Sequence, residues 1–360
     1  MQDYYILVIN PGSTSTQVAL YKNEECIHEE SILHTSEQLT LDVDNQIEFR
    51  KKAIKDFIIK TELDLNDLSA IAARGGRLRP IKSGTYEVDD TMINDSYSKV
   101  NGNHASKLAI IIGNDIARET GCKIYTVDPI SVDEMIDEAR ISGIPEIQRK
   151  SLSHALNTKA VCRKTAIDLK EEYKNLNIVV AHLGGGTTIS SHRRGRMIDL
   201  INDFEGIFTP ERAGGLPNLQ LVKMCFSGKY SEEEVVRKIE GLGGFYSYLG
   251  TKDFLEIERR ILNGDRIAKL IMDSYLFQLT KVIGSMVAVL EYNVDAISIT
   301  GSIAKSKNVI KSINTAFSKI APILIYPGSF EMEALAAGVL RVLRGEENAK
   351  NYTLESGAYE

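Results

Sequence analysis

A run of seven residues near the start of the chain has the side chains of an anion-binding turn. It reads Asn10-Pro11-Gly12-Ser13-Thr14-Ser15-Thr16 and lies between an apolar, β-branched run at 4–9 and an alternating run at 16–21. Its hydroxyls, its amide and its flexible backbone offer several hydrogen-bond donors without bulk, as a phosphate group requires. Gly, Ser and Asn also favour hairpin tips for conformational reasons, so this motif alone fits a phosphate site and an ordinary turn equally well.

A second turn of the same kind follows in the middle of the chain. The segment His182-Leu183-Gly184-Gly185-Gly186-Thr187-Thr188 joins the strand patterns 178–182 and 187–191, and its histidine could donate to a phosphate oxygen. Neither turn has the Gly-Lys-Ser/Thr of a Walker A loop or a G-x-G-x-x-G dinucleotide motif. A polyphosphate held between two lobes needs a loop from each lobe, so the pair favours nucleotide binding.

The elements around these turns alternate between strands and helices. Hydrophobic periodicity predicts helices at 47–59, 106–118 and 152–169, and strands at 70–73, 123–127 and 296–300. This alternation indicates an α/β fold, and a chain of 360 residues favours two domains with a ligand cleft between them. Because the strand at 296–300 lies between helices as the strand at 123–127 does, we expect two similar α/β halves facing each other across that cleft.

Composition and charge exclude several classes of function. A formal net charge of -6 argues against a nucleic-acid partner, because binding to the phosphate backbone requires clustered Lys and Arg. The N-terminus has no basic and apolar secretory pattern, so we expect a cytoplasmic protein. The apolar segment 270–290 contains Asp273, Gln278 and Lys281. It therefore predicts a core helix and no contact with a membrane.

The cysteines and histidines carry no metal-binding pattern. The four cysteines are widely spaced without a C-x-x-C pair, and the six histidines form no H-E-x-x-H motif. We expect buried, reduced thiols and no protein-bound zinc. The polar tail after Gly345 is expected to be disordered.

Four motifs, taken in order along the chain, resemble those of the acetate and butyrate kinases. They are residues 8–16 around the first turn, residues 181–186 around the second, Phe208-Thr209-Pro210-Glu211-Arg212-Ala213-Gly214-Gly215, and Ile299-Thr300-Gly301-Ser302-Ile303-Ala304. Within that family, the segments 83–88, 128–135 and 145–150 look most like the butyrate kinases. The likeness spans nearly the whole chain and is therefore more specific than any one motif.

The resemblance implies a fold and a domain organisation. These kinases belong to the superfamily of sugar kinases, heat-shock chaperone ATPases and actin. The expected architecture is two similar ribonuclease H-like domains with mixed sheets flanked by helices, and an active site in the interdomain cleft. Residues 1–130 plus 335–360 would form the N-terminal acid kinase domain, and residues 131–334 the C-terminal nucleotide-binding domain. A homodimer or higher homo-oligomer is implied as well.

The implied reaction is transfer of the γ-phosphate of ATP to a carboxylate. A carboxylate with a pKa near about 4.3 is already ionised at neutral pH, so it attacks phosphorus without a general base. The protein then has to supply alignment and positive potential. The resemblance implies His154 and Arg212 as the pair that stabilises the transition state, and His182 as a contact of the transferring phosphate.

The resemblance also implies roles for the remaining candidate residues. Asp128 and Glu333 would hold Mg²⁺, mostly through water, with Glu331 as the second choice for the glutamate. Asn10 and Ser13 would serve the transferring phosphate and the substrate. The nucleotide would be bound by Gly184, Gly185 and Gly186 at its phosphates and by Gly301 at its adenosine.

Two departures from the family pattern concern the acid substrate. The acetate kinases carry a carboxylate-binding Arg a few residues before a Gly-Gly pair, whereas here Ile71 has that spacing and Arg74 directly precedes Gly75-Gly76. We assign the role to Arg74. The position before the implied catalytic histidine is usually aromatic and is Ser153 here, which predicts a larger acyl pocket for four-carbon or branched acids.

The leading interpretation is a butyrate kinase, acting reversibly with ATP/ADP and Mg²⁺. A kinase of isobutyrate or another branched acid would have the same fold and residues. A nucleotide-switch module of the chaperone or actin kind and a sugar kinase are weaker alternatives, because the His154–Arg212 pair would be unnecessary in the first and Asp128 would have to act as a base in the second. The preferred acid and the physiological direction do not follow from the sequence.

Overall fold

The computed structural model of the protein describes residues 2–98 and 104–356. The chain divides into two compact units: unit 1 comprises Met1–Glu134, Lys150–Ala160 and Phe330–Glu360, and unit 2 comprises Met135–Arg149 and Val161–Ser329. This division differs from the predicted domains mainly in placing residues 150–160 in the first unit. The reason is packing, because Leu156 belongs to a core of unit 1 and Lys159 forms an ion pair with Glu134.

Twelve strands are present in the described residues. They are β1 (Tyr5–Pro11), β2 (Ser15–Lys22), β3 (Glu25–Leu33), β4 (Leu68–Ala73), β5 (Thr85–Glu87), β6 (Lys123–Val127), β7 (Asn177–Leu183), β8 (Thr187–Arg193), β9 (Arg196–Ile201), β10 (Ala296–Gly301), β11 (Ile323–Pro327) and β12 (Lys350–Asn351).

The α-helices of the described residues range from short turns to one long core helix. They are α1 (Ser36–Leu39), α2 (Ile47–Lys60), α3 (Asp90–Tyr97), α4 (Leu108–Thr120), α5 (Asp137–Arg140), α6 (Ala155–Leu169), α7 (Asn218–Cys225), α8 (Glu232–Ile239), α9 (Gly244–Leu249), α10 (Phe254–Leu262), α11 (Arg266–Val289), α12 (Lys307–Phe317), α13 (Glu331–Leu343) and α14 (Tyr352–Ser356).

The sheet of unit 1 has seven strands in the order β12-β5-β6-β4-β1-β2-β3. Strands β1, β2 and β3 form an antiparallel meander, and β4 and β6 continue the sheet parallel to β1. Apolar residues of α2 and α4 cover one face, while α13 and Leu156 of α6 cover the other. Burial on both faces explains why β1 and β4 are nearly continuous apolar runs.

The sheet of unit 2 has five strands in the order β11-β10-β7-β8-β9. It repeats the central part of the first sheet: three antiparallel strands, followed by two strands parallel to the first of them. The predicted mixed sheets flanked by helices and the repeated strand–turn–strand unit are confirmed. One equivalence was wrong, because β10 pairs directly with β7 as β4 pairs with β1, so 296–300 corresponds to 68–73 and not to 123–127.

Other expectations can be compared with the structure. The segment 270–290 lies in α11, whose buried side carries Tyr275, Leu279 and Ile283, so the predicted core helix is confirmed. No helix in 2–98 or 104–356 has the length and hydropathy needed to span a bilayer. All four cysteines are free, but only Cys162 is buried, so the prediction of four buried thiols was wrong.

The expected disorder after Gly345 was also wrong for residues 346–356. Strand β12 pairs with β5 at the sheet edge, and the fully buried Tyr352 donates from its hydroxyl to Asp95 at 2.7 Å. The last four residues, 357–360, lie outside the described part of the chain.

Candidate functional site

Three predicted site residues of unit 1 lie at the same edge of its sheet. Asn10 is near the end of β1, Arg74 directly follows β4, and Asp128 directly follows β6. These three strands are parallel neighbours in the order β6-β4-β1, so their carboxyl ends meet at one edge. Ligands of open α/β sheets bind at such edges.

Asn10 and Arg74 both contact Glu331, in the first turn of α13. Arg74 Nη1 lies 2.5 Å from Glu331 Oε1, and Asn10 Nδ2 donates to Glu331 Oε2 at 3.1 Å and to Gln17 Oε1 at 3.2 Å. The Arg74 side chain is only 7% exposed, and its Nε has no hydrogen-bond partner in the described residues. A buried guanidinium held on one side by a carboxylate is suited to bind a second planar anion.

The glycine pair after Arg74 is required by close packing. A Cβ on Gly75 would lie 2.4 Å from the Pro129 side chain, and one on Gly76 would lie 2.8 Å from the Lys107 backbone. The chain packs closely against Pro129 and Lys107 just after β4, and Arg74 N donates to Ile9 O at 2.9 Å. These contacts fix the backbone of Arg74 beside β1.

Asp128 is held by a loop to which the sequence analysis assigned no role. Its Oδ1 accepts from Ser83 Oγ at 2.6 Å and from Gly84 N at 2.8 Å, and the residue is 1% exposed. Its φ of 39° lies in the left-handed region, which is uncommon for residues other than glycine and is often found at functional sites. The backbone strain and the two donors fix one carboxylate oxygen of Asp128.

His154 immediately precedes helix α6, and its carbonyl accepts from Thr158 N at 2.9 Å. Asn157, in the first turn of that helix, accepts from Phe330 N at 2.8 Å, next to Glu331. Lys159, fully buried, lies 2.5 Å from Glu134. These contacts anchor the start of α6 to the start of α13 and to the segment after β6. Asn157 and Lys159 were not singled out from the sequence.

The two glutamates of α13 have different surroundings. Glu331 joins the cluster with Asn10 and Arg74, whereas Glu333 is exposed. Glu333 lies near Tyr21 of β2: burial is the main reason that the pKa of Tyr21 is raised, and the charge of Glu333 contributes in the same direction. Residues two apart on a helix point in different directions, which explains the separation. The role predicted for Glu333 stays a prediction, while Glu331 is the glutamate beside Asn10.

No group of three or more His, Cys, Asp or Glu side chains within 2–98 and 104–356 is arranged to hold a metal ion. A Mg²⁺ ion needs fewer protein ligands, because it keeps water molecules and binds substrate phosphates. The carboxylates of unit 1 are therefore compatible with Mg²⁺ bound together with a nucleotide.

In unit 2, the glycine turn between β7 and β8 has free space beside the α-carbons of Gly184 and Gly185. Gly184 N donates to Gly186 O at 3.0 Å. A Cβ on Gly184 would meet His182 Nε2 at 3.7 Å, and one on Gly185 would meet Glu211 at 3.7 Å, both ordinary contact distances. Steric crowding within the protein therefore does not require these two glycines, whereas close approach of a phosphate would.

Arg212 lies beside this turn and is tied to it by two side chains. It forms an ion pair with Asp203, which also accepts from Thr187 N at the start of β8. Thr209 Oγ1 donates to Gly185 O at 2.7 Å and accepts from Arg212 N at 3.1 Å. Asp203 and Thr209 thus position the guanidinium relative to the glycine turn. The motif around residue 209 was recognised in the sequence, but no sequence pattern pointed to Asp203.

Burial raises the pKa of Asp203, and the positive charge of Arg212 opposes that shift. Removing Arg212 would leave this carboxylate buried without its cation. The two residues therefore act as a unit.

Gly301 has a structural reason to be glycine. Its φ is 91°, and a Cβ would lie 2.1 Å from Leu183 O. The end of β10 approaches the backbone of β7 too closely for any side chain. Its predicted contact with adenosine stays a prediction.

The structure thus groups the predicted residues into two sets. In unit 1, Asn10 and Arg74 meet at Glu331, Asp128 ends a neighbouring strand, Ser13 is exposed in the first turn, and His154 starts α6. In unit 2, His182, the three glycines and Arg212 surround the second turn.

Comparison with known proteins identifies the family of the chain. The model of the acetokinase family matches residues 146–322. Butyrate kinase 2 of Clostridium acetobutylicum is 47% identical over 353 residues, covering 97% of this chain and 99% of that protein. The chain belongs to the acetokinase family. A probable butyrate kinase 2 of Caldanaerobacter subterraneus subsp. tengcongensis is 46% identical over 97% of this chain and 99% of its own length.

Solved structures show that the acetokinase fold extends to distant sequences. The acetate kinase of Porphyromonas gingivalis has a TM-score of 0.78 at 16% identity, covering 94% of this chain and 100% of that one. A propionate kinase of Francisella tularensis has a TM-score of 0.72 at 19% identity, covering 93% of this chain and 98% of that one. At these identities the likeness establishes the fold alone.

Proposed function

We propose that this chain is a butyrate kinase that transfers the γ-phosphate of ATP reversibly to the carboxylate of butyrate, giving butyryl phosphate and ADP. The observation that carries the proposal is the near-full-length identity of 47% to a butyrate kinase. The cluster of Asn10, Arg74 and Glu331 and the Arg212 turn supply the groups that the reaction requires.

The reaction is an in-line displacement. An oxygen of the ionised acid attacks the γ-phosphorus, a new P–O bond forms, and the bond to the leaving ADP oxygen breaks. No proton has to be removed, because the acid is ionised at neutral pH. Catalysis therefore depends on alignment and on neutralising the charge of the equatorial oxygens.

Each unit contributes groups to this reaction. In unit 1, Arg74 binds the carboxylate of the acid, Asn10 and Ser13 bind the transferring phosphate, and His154 stabilises the charge that develops in the transition state. In unit 2, Gly184, Gly185 and Gly186 bind the nucleotide phosphates, and Gly301 borders the adenosine. Arg212 stabilises the transition state together with His154, and His182 contacts the transferring phosphate.

Asp128 and a glutamate of α13 would hold Mg²⁺. The contact with Asn10 favours Glu331 over the predicted Glu333 for this role. Bound Mg²⁺ would neutralise phosphate charge. The protein's part is to fix the carboxylate, which Ser83 and Gly84 do for Asp128.

The preferred acid is butyrate, with isobutyrate or another branched acid as the alternative. Ser153 is small and buried beside His154, where a larger residue would shorten the acyl pocket. One methylene changes binding in an apolar pocket by only about 1–3 kcal/mol, so neighbouring acids are expected to react as well.

The chain forms a homodimer or a higher homo-oligomer. Supporting this, unit 2 exposes large apolar side chains such as Phe226 (87% exposed), Leu262 (86%) and Leu219 (74%). Contiguous patches of exposed apolar groups are typical of an association surface. Light scattering after gel filtration is expected to give a mass of at least two chains.

The decisive experiment traps the acyl phosphate. The purified protein is incubated with ATP, Mg²⁺ and hydroxylamine, together with acetate, propionate, butyrate or isobutyrate, and the hydroxamate is quantified. We expect the highest kcat/KM for butyrate, while a clear preference for acetate would reject the role of Ser153. Absence of hydroxamate from every acid would reject the proposed function. Phosphorylation of a sugar or acid-independent ATP hydrolysis would then favour the sugar kinase or the switch module.

A further inference from the structure

Helix α2 carries one cation on its core-facing side. Arg50 is 0% exposed and shares that side with Ile54, Phe57 and Ile58. It is the largest fully buried side chain in the described part of unit 1. A charge at such a position is costly unless something in the protein or its ligand compensates it.

Every hydrogen-bond acceptor of Arg50 is neutral. Its Nε and Nη2 donate to Gln46 Oε1 at 3.1 and 2.8 Å, and its Nη1 donates to Ser15 O at 3.0 Å and to Thr16 Oγ1 at 2.9 Å. No carboxylate in 2–98 or 104–356 forms an ion pair with it. Burial lowers the pKa of Arg50 to about 10, still well above neutral pH. The guanidinium therefore stays charged, and no charge in the described protein cancels it.

The position of this charge relates it to the first turn. Ser15 O, which accepts from Arg50, also accepts from Gly12 N at 2.8 Å and so closes the turn. Ser13 and Thr14, in the same turn, are exposed. The guanidinium thus holds, from a buried position, the backbone carbonyl that closes the segment predicted to bind the transferring phosphate.

The neighbouring histidine does not add a second charge. Arg50 can only donate, so the Thr16 hydroxyl accepts from it, and the same hydroxyl is hydrogen-bonded to His34 Nε2, 2.8 Å away. Burial and the charge of Arg50 lower the pKa of His34 to about 4. At neutral pH this cluster therefore holds one positive charge and a fixed chain of hydrogen bonds.

We propose that Arg50 is a positioning residue that fixes the first turn from its buried side and supplies uncompensated positive potential to the anion bound on the exposed side. This inference rests on the proposed phosphoryl transfer. A carboxylate partner would cancel the potential, whereas neutral acceptors hold the guanidinium without weakening it. The bound phosphate then acts as the counterion that the described protein lacks. Arg50 therefore stabilises the phosphate-bound enzyme more than the free enzyme.

The test separates charge from shape. Arg50→Met removes the charge and keeps much of the volume. Arg50→Lys keeps the charge but loses the planar guanidinium with its several N–H donors. A double variant, Gln46→Leu with Arg50→Met, also removes the glutamine oxygen that Arg50→Met would leave unpaired. Lys52→Met is the matched control, because Lys52 is an exposed cation on the same helix. The readouts are kcat, KM for butyrate and for ATP, the urea midpoint, and stabilisation against heat by inorganic phosphate.

We expect kcat to fall about 10- to 100-fold in Arg50→Met and in the double variant, with KM for ATP nearly unchanged. Arg50→Lys should retain more activity than Arg50→Met, and Lys52→Met should match the unmodified chain. The urea midpoint of the double variant should not fall, because a buried charge has been replaced by apolar groups. Phosphate should stabilise the unmodified chain more than Arg50→Met.

Two results would overturn the inference. One is full activity in Arg50→Met. The other is a parallel loss of activity and stability that is equal in the Lys and Met variants, as a purely structural residue would give. If the unmodified chain forms no hydroxamate, the proposed function fails, and the phosphate titration alone then decides whether Arg50 supports an anion site.

Discussion

The two hairpin turns occupy equivalent places in their sheets but are supported by opposite charges. The first, between β1 and β2, rests on the buried cation of Arg50. The second, between β7 and β8, is tied at Thr187 to the carboxylate of Asp203, which also holds Arg212. In unit 1 the positive charge lies beneath the turn, while in unit 2 it lies beside the turn on a guanidinium oriented by an acid.

Under the proposed function, the two turns have different tasks. The first turn receives the transferring phosphate, and a cation fixed in the core suits it because that cation cannot move with the ligand. At the second turn, a guanidinium held by an acid has donors left for a charge that develops during reaction. Substitutions at each turn test this contrast.

Replacement of Arg212 by Ala should have the largest effect. It removes a positive charge at the second turn and leaves the partly buried Asp203 without its cation. We expect kcat to fall by about 10³-fold or more, with a smaller change in KM for butyrate. Steady-state hydroxamate kinetics measures both. Arg196→Ala, at an exposed position of the same unit, is the control, and equal activities of the two variants would exclude a role for Arg212.

Asn10→Ala should distinguish the function of the first turn from that of the second. Asn10 contacts Glu331 and Gln17 in unit 1, and we assign it to the transferring phosphate. We expect turnover to fall about 100-fold while the dissociation constant for ADP changes little. Isothermal titration with ADP and initial rates provide the two numbers, and Asn66→Ala in an exposed loop is the control. Loss of ADP binding with unchanged turnover of the bound fraction would reverse the assignment of the two turns.

Asp203→Asn tests whether the acid orients Arg212 or merely stabilises the fold. The amide oxygen can still accept from Thr187 N, but it no longer carries the charge that holds the guanidinium. We expect a fall in kcat of about tenfold. Asp199→Asn removes a comparable acid of β9 that pairs with Arg149, and it should lower stability without lowering kcat. If both variants lose only stability, the second turn has no catalytic dependence on Asp203.

The smallest effect concerns pH and His34. Its pKa is lowered to about 4 in the folded state, against about 6.5 in an unfolded chain, so the unfolded state binds more protons between these values. The free energy of unfolding should therefore decrease as pH falls from about 6.5 toward 4. His34→Gln keeps a hydrogen-bond partner for Thr16 and should show a smaller decrease. Urea titrations at pH 4.5, 5.5 and 7 measure this difference, and identical slopes would contradict a neutral His34.

The sequence predicted much of this architecture for local reasons. Alternation and turn residues indicated both hairpins, and short apolar runs before Arg74 and Asp128 indicated the strands whose ends meet in unit 1. These elements depend on residues close together in the chain, which is why one sequence was enough to find them. The family resemblance predicted roles for His154, Arg212 and the glycines.

Pairing between distant segments explains what the sequence analysis missed. The equivalence of β10 with β4 depends on which strand lies beside β7, which periodicity does not encode. The contact of Glu331 with Asn10 and Arg74 depends on which face of α13 packs against β1 and β4. The structure of the segment 350–356 depends on the pairing of β12 with β5 at the sheet edge and on the burial of Tyr352.

The first turn has some features that follow from the sequence and others that follow from tertiary structure. Turn chemistry is local, so the sequence alone was enough to predict a donor-rich hairpin tip at residues 10–16 of an α/β kinase fold. Two other features follow only from the folded structure. Glu331 contacts Asn10, and Arg50 contacts the turn from a buried position without a carboxylate partner in the described chain. Burial and charge compensation depend on all the segments that pack around a residue, and these come together only when the chain folds.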